Sequence, residues 1–266
     1  MERSQQPTPP ESAASSESSE RPERPGRPTS PASSASPTSP TSPGRPGWPE
    51  IVAGLVGLTV VGIGGAFGVM RLGIDPVVTG LILTALSGAG GLAGFCAAYF
   101  LRLRSWAAFG VKRTSWRWIA IGAGVGVVTF FAKSAAILGY VMLTGDGQSP
   151  QELYGTGASG GAIAAIAATV LLGIVTPIGE EFLFRGVVTT ALLRHGALVG
   201  VIGGAIIFAV FHGVNMVLPA ALIVGLAAGE VYRRSGSIWP SVTVHCVVNL
   251  PTIPVMVLTS IAAVPA

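Results

Sequence analysis

From residue 162 to residue 193 the sequence carries no charge except in one cluster, Gly-Glu-Glu-Phe-Leu-Phe-Arg-Gly at residues 179–186. An ionised group near the middle of a bilayer costs roughly 2.5–3.5 kcal/mol on insertion scales, so three within six residues require a use. Glu181 and Arg185 are four residues apart, which puts them on one side of a helix as a charge-assisted pair. Glu180 lies about 100° further round the same helix and is left without that partner. Two later apolar stretches repeat the four-residue spacing with other polar types: Phe208 with His212 in FAVFH, and His245 with Asn249 in HCVVN.

A carboxylate, two imidazoles and a carboxamide facing one cavity suit hydrolysis. Glu180 and a histidine can deprotonate a water, while a second histidine and Asn249 donate hydrogen bonds to the oxyanion formed on a carbonyl. The same set permits a metal version, with Glu180, His212 and His245 holding Zn2+ and leaving one position open for water. The HExxH spacing of the common zinc proteases is absent.

The elements that must position these groups are membrane helices. Half of the 266 residues are hydrophobic and 11% are charged, against about 25% in soluble globular proteins. With about 20 apolar residues needed per crossing, the expected spans are residues 51–70, 77–101, 118–144, 162–193, 197–218, 220–232 and 238–264. The fold class is therefore an all-α polytopic transmembrane bundle of about seven to eight spans. The fourth segment is too long for one straight crossing, and Pro177 and Gly179 mark where it should kink or break. Pro219 either ends the fifth span or begins the sixth. Glycine-rich stretches such as SGAGGLAG fit close approach of helices in lipid.

Residues 1–47 read as a disordered Pro/Ser-rich tail. They hold 11 of the 20 prolines and no Val, Ile, Leu or aromatic residue, too little apolar surface to fold. The tail lacks the pattern of a secretory signal, so the first apolar run is expected to stay as a membrane anchor. Residues 48–266 form the transmembrane domain. Arg102, Arg104, Lys112, Arg113, Arg117, Arg194, Arg233 and Arg234 all fall in alternate loops, which places those loops and the tail in the cytoplasm, with Arg71 in the first loop as the one dissenter. A net charge of +4 spread in this way argues for membrane orientation and against a nucleic-acid partner. Glu230 beside Arg233 and Arg234 reads as an interfacial ion pair. Cys96 and Cys246 form neither a metal spacing nor a disulfide framework.

At Glu180-Glu181-xxx-Arg185, Phe208-xxx-His212 and His245-xxx-Asn249 the chain resembles the CPBP family of intramembrane proteases (CAAX protease and bacteriocin-processing, also called Abi). Its three motifs, EExxxR, FxxxH and HxxxN, stand here intact and in order. The resemblance covers roughly residues 116–254. It implies that Glu180 and His212 activate the attacking water, that His245 and Asn249 stabilise the oxyanion, and that Glu181 and Arg185 support them. The family's mechanism has been described both as metallo-type and as a metal-independent glutamate type, so Zn2+ at Glu180, His212 and His245 stays open.

The expected activity is cleavage of a peptide bond in a membrane-associated peptide or protein, in a multi-pass protein of a prokaryotic plasma membrane. Two other classes stand beside it: a non-catalytic membrane immunity or scaffold protein, and a proton-coupled transporter lined by the same polar groups. Counting helical rises from the loops places Glu180 and His245 in the cytoplasmic half of the bilayer and His212 roughly 10 Å higher.

Overall fold

The structure, a computed structural model, describes residues 44–148 and 152–262. The chain divides into two units, Met1–Pro40 and Thr41–Ala266, and every described residue belongs to the second. The expected disordered tail lies outside the described residues up to residue 43. Among the described residues the regular structure is helical, with no strand.

Among the described residues five helices are long and apolar enough to cross a membrane, which makes this a multi-pass membrane protein: α1 (Trp48–Met70), α2 (Pro76–Leu103), α3 (Trp116–Thr144), α5 (Ala162–His195) and α8 (Ile238–Leu258). Between them lie a short helix α4 (Glu152–Ala158), a shorter apolar helix α6 (Val199–Val210) and α7 (Val217–Ser235). The seven expected segments thus correspond to seven helices, but two of them do not meet the crossing criteria. Helix α4 was not expected.

Helix α2 is the central element. Of its most apolar stretch 44% is buried, against 17% in α1 and in α3. It begins at Pro76, with the Asp75 carboxylate accepting hydrogen bonds from the Val77 and Val78 amides at 2.9 and 3.0 Å. Its far end is tied to the start of α1, where buried Glu50 accepts from the Gly47 amide at 2.7 Å and from Arg102 Nη2 at 2.9 Å. Small residues let α2 lie directly on α5: a Cβ at Gly88 would come within 2.8 Å of the Val175 carbonyl oxygen, and one at Gly91 within 2.8 Å of the Glu180 amide nitrogen. Gly88 and Gly91 are three apart and share one face of the helix.

The long helix α5 does not break at Pro177. It runs on through two widened turns of π type, Leu171–Val175 and Phe182–Thr189, one on each side of Thr176–Glu181. Proline cannot donate its backbone hydrogen bond and its ring crowds the carbonyl four residues back, which accounts for a loosened turn just before it. Helix α6 stops at Val210, well short of the expected residue 218. Gly213 takes φ +81°, the His212 carbonyl accepts from Asn215 Nδ2 at 2.8 Å, and Asn215 Oδ1 accepts from the Val217 amide at 2.8 Å. Asn215 thereby starts α7, with Pro219 in its first turn.

Helix α8 is anchored at its start. Ser237 Oγ donates to the Lys112 carbonyl at 2.7 Å, and the Ile238 amide donates to the Gly110 carbonyl at 3.1 Å. Those two bonds fix where His245 sits, about two turns into the helix.

Candidate active site

Glu180 and Glu181 lie on α5 and His245 on α8, and all three are buried. Glu181 is the centre of the cluster. Its Oε1 accepts from His245 Nδ1 at 2.9 Å, while Oε2 lies 3.0 Å from Arg185 Nε as an ion pair without the alignment of a hydrogen bond. A carboxylate on Nδ1 makes that nitrogen the donor, so Nε2 is the working nitrogen of His245. That nitrogen is 3.7 Å from Glu180 Oε2. The other Glu180 oxygen, Oε1, accepts from Ser87 Oγ of α2 at 3.1 Å.

Phe208 is fully buried and joins the three motifs. Its ring contacts His212 at 4.6 Å and His245 at 5.7 Å between centroids, and the Arg185 guanidinium lies over it at 4.8 Å. None of the three Arg185 nitrogens has an aligned hydrogen-bond partner among the described residues, so the Glu181 charge and the Phe208 face are its visible support.

His212 stands apart from this line. It follows the end of α6, is half-buried, and has Nδ1 2.9 Å from the Phe208 carbonyl. A carbonyl can only accept, so Nδ1 carries the proton and Nε2 is free to act as a base. His212 forms no ion pair or hydrogen bond with Glu180 among the described residues. Asn249, one turn after His245, is half-buried and donates from Nδ2 to the Leu172 carbonyl at 3.4 Å, in the first widened turn of α5.

A zinc ion at Glu180, His212 and His245 needs three donors converging on one point. Among the described residues no three His, Cys, Asp or Glu side chains do so. As placed, Glu180 and His245 are neighbours and the third ligand is missing, so this set does not fit the ion.

Residues 162–251 match the family model described as type II CAAX prenyl endopeptidase Rce1-like. This match is consistent with the CPBP resemblance. The matched segment contains Glu180, Glu181, Arg185, Phe208, His212, His245 and Asn249. At family level the Rce1-like domain supports a protease working in a lipid bilayer on a peptide substrate. No curated protein and no solved structure matches the chain.

Two neighbours of the Rce1-like segment were missed by sequence reasoning. Ser87 lies on α2, outside the matched residues. Tyr154 lies on α4, where burial first and the Glu180 carboxylate second hold its phenol above the ordinary range. A lone serine in a glycine-rich run and a tyrosine in a seven-residue helix carry no periodic signal that would single them out.

Proposed function

We propose that this protein is an intramembrane endopeptidase that hydrolyses a peptide bond in a membrane-associated peptide or protein. The observation that carries the reading is the approach of Glu180 Oε2 to His245 Nε2, 3.7 Å apart in a buried site inside apolar helices. That gap is too long for a direct hydrogen bond and suits two groups that meet on one water or one reacting carbonyl.

Glu180 takes a proton from the water as it attacks the carbonyl carbon, and returns it to the amide nitrogen as the C–N bond breaks and the amine leaves. His245 in its doubly protonated form, turned by Glu181 so that Nε2–H faces the site, and Asn249, through its second amide hydrogen, donate to the oxyanion. His212 contributes its free Nε2 to the water, in the role the resemblance gives it. Glu181 and Arg185 orient His245 and close the network. Because His245 is the imidazole beside Glu180, His245→Ala should cost more in kcat than His212→Ala.

The basic loops support an orientation with the N-terminal tail and the Arg194 loop in the cytoplasm, and a prokaryotic plasma membrane is part of this proposal. The domain reading, with a tail at residues 1–47 and a transmembrane domain from residue 48, belongs to the same proposal.

The test is cleavage of a membrane-peptide library by the full chain in liposomes, comparing wild type, Glu180→Gln and chelated wild type. Cleavage lost in Glu180→Gln and kept after chelation supports a glutamate-type reaction. Loss in both arms points to a required metal, and turnover by Glu180→Gln overturns the role of Glu180. Retained partner binding with no cleavage in any arm favours the scaffold class, and ion flux the transporter class.

A further inference from the structure

Hydroxyl side chains inside helices usually bond to the carbonyl four residues back, where they satisfy themselves without leaving the helix. Thr59, Thr84, Ser134, Thr169 and Thr243 all do so here, at 2.7–2.9 Å. Ser87 does not. Its Oγ crosses from α2 to α5 and donates to Glu180 Oε1 at 3.1 Å.

The crossing is built into the packing. Gly88 and Gly91 bring the α2 backbone onto residues 175–180 of α5, so tightly that a Cβ at either position would overlap that backbone. Thr176 adds a second link beside Ser87, donating from Oγ to the Thr84 carbonyl at 3.2 Å. A hydroxyl one residue before Gly88 then sits beside the glycine track, within reach of the Glu180 side chain. A longer residue at 87 would meet the carboxylate, and alanine would leave it without this donor.

The bond also divides the labour of the carboxylate. Oε1 is held by Ser87, and Oε2 is the oxygen turned to His245 Nε2. Glutamate has three side-chain torsions, and a carboxylate held at one oxygen presents the other in a fixed direction. Such fixing of a reacting group lowers the barrier without adding a contact to the substrate.

We infer that Ser87 is a positioning residue for Glu180, acting through Oε1 to aim Oε2 at the water. The inference rests on the hydrolytic reading above, and it brings α2, outside the Rce1-like segment, into the working site.

The experiment measures kcat and KM for the full chain in liposomes with Ser87→Ala, Ser87→Thr, Glu180→Gln and the Ser87→Ala/Glu180→Gln double variant, with thermal midpoints in parallel. Loss of one net hydrogen bond to a charged group predicts that Ser87→Ala lowers kcat about tenfold, with KM within about twofold of wild type. Ser87→Thr, which keeps the hydroxyl, should recover most of the loss, and the double variant should be no slower than Glu180→Gln alone. A Ser87→Ala enzyme with wild-type kcat, or a threonine variant as slow as the alanine variant, overturns the inference. If the wild type cleaves nothing, the hydrolytic reading fails on its own account. The Ser87 contact is then decided by a thermal cycle with Ser87→Ala and Glu180→Ala. Less-than-additive losses uphold the contact, and fully additive losses refute it.

Discussion

Among the described residues two carboxylate–guanidinium pairs share the four-residue spacing, and they behave as opposites. Glu181 and Arg185 are fully buried, while Glu230 and Arg234 have side chains 36% and 64% exposed. Glu230 binds two arginines with well-aligned hydrogen bonds, including two from Arg233 at 2.7 Å. Glu181 shares itself between an arginine and His245, and its arginine is otherwise supported by an aromatic face. The better-formed pair is thus the one that matters less. Helical spacing decides which groups meet, and burial decides the consequence of separating them. An exposed pair can be replaced by two hydrated groups. A buried one cannot be broken on one side without stranding a charge.

The largest expected effect tests that asymmetry directly. Glu181→Leu leaves the Arg185 guanidinium buried with no counter-charge in contact, a loss expected at about 3–5 kcal/mol. The Glu181→Leu/Arg185→Met double variant removes both charges and should regain most of that stability, read as the thermal midpoint in detergent. It should still fail to cleave, since His245 Nδ1 has lost its acceptor. A double variant as unstable as Glu181→Leu alone would show that Arg185 contributes packing rather than charge balance.

Gly91→Ala comes next. The new methyl must push α2 away from the Gly179 and Glu180 backbone, and overpacking of this kind costs about 1–3 kcal/mol. The same displacement lengthens the Ser87–Glu180 bond, so kcat should fall more than stability alone explains. Gly68→Ala is the control, because a Cβ there meets nothing within 4 Å. Equal effects at the two positions would count against a backbone contact at residue 91.

Much of this arrangement was legible in the sequence. The all-α membrane fold, the Glu181–Arg185 pair and the burial of Glu180 and His245 follow from apolar run length and a four-residue period, both local properties. What escaped depends on how helices cross or stop. Ser87 is in the site only because Gly88 and Gly91 set the α2–α5 approach. His212 was expected one turn after Phe208 in a helix running to residue 218. Gly213 and Asn215 instead turn the chain at that point, placing His212 at a helix end. Pro177 read as a kink or a break, and the helix runs on through it with a widened turn just before.

The smallest expected effect completes the comparison from the exposed side. Glu230 lies near the end of α7 with Arg233 and Arg234, and together they carry more positive than negative charge. Glu230→Gln removes both ion pairs but leaves every group hydrated, so the thermal midpoint should move by no more than about 2 °C and cleavage should be unchanged. The shift should shrink further on raising salt from 0.05 to about 0.5 M, where exposed charges are screened over a few ångströms, while the Glu181→Leu loss should keep its size. A salt-insensitive Glu230→Gln effect as large as that of Glu181→Leu would mean that the α7 end is buried against something outside this chain, and the contrast between the two pairs would no longer be one of burial.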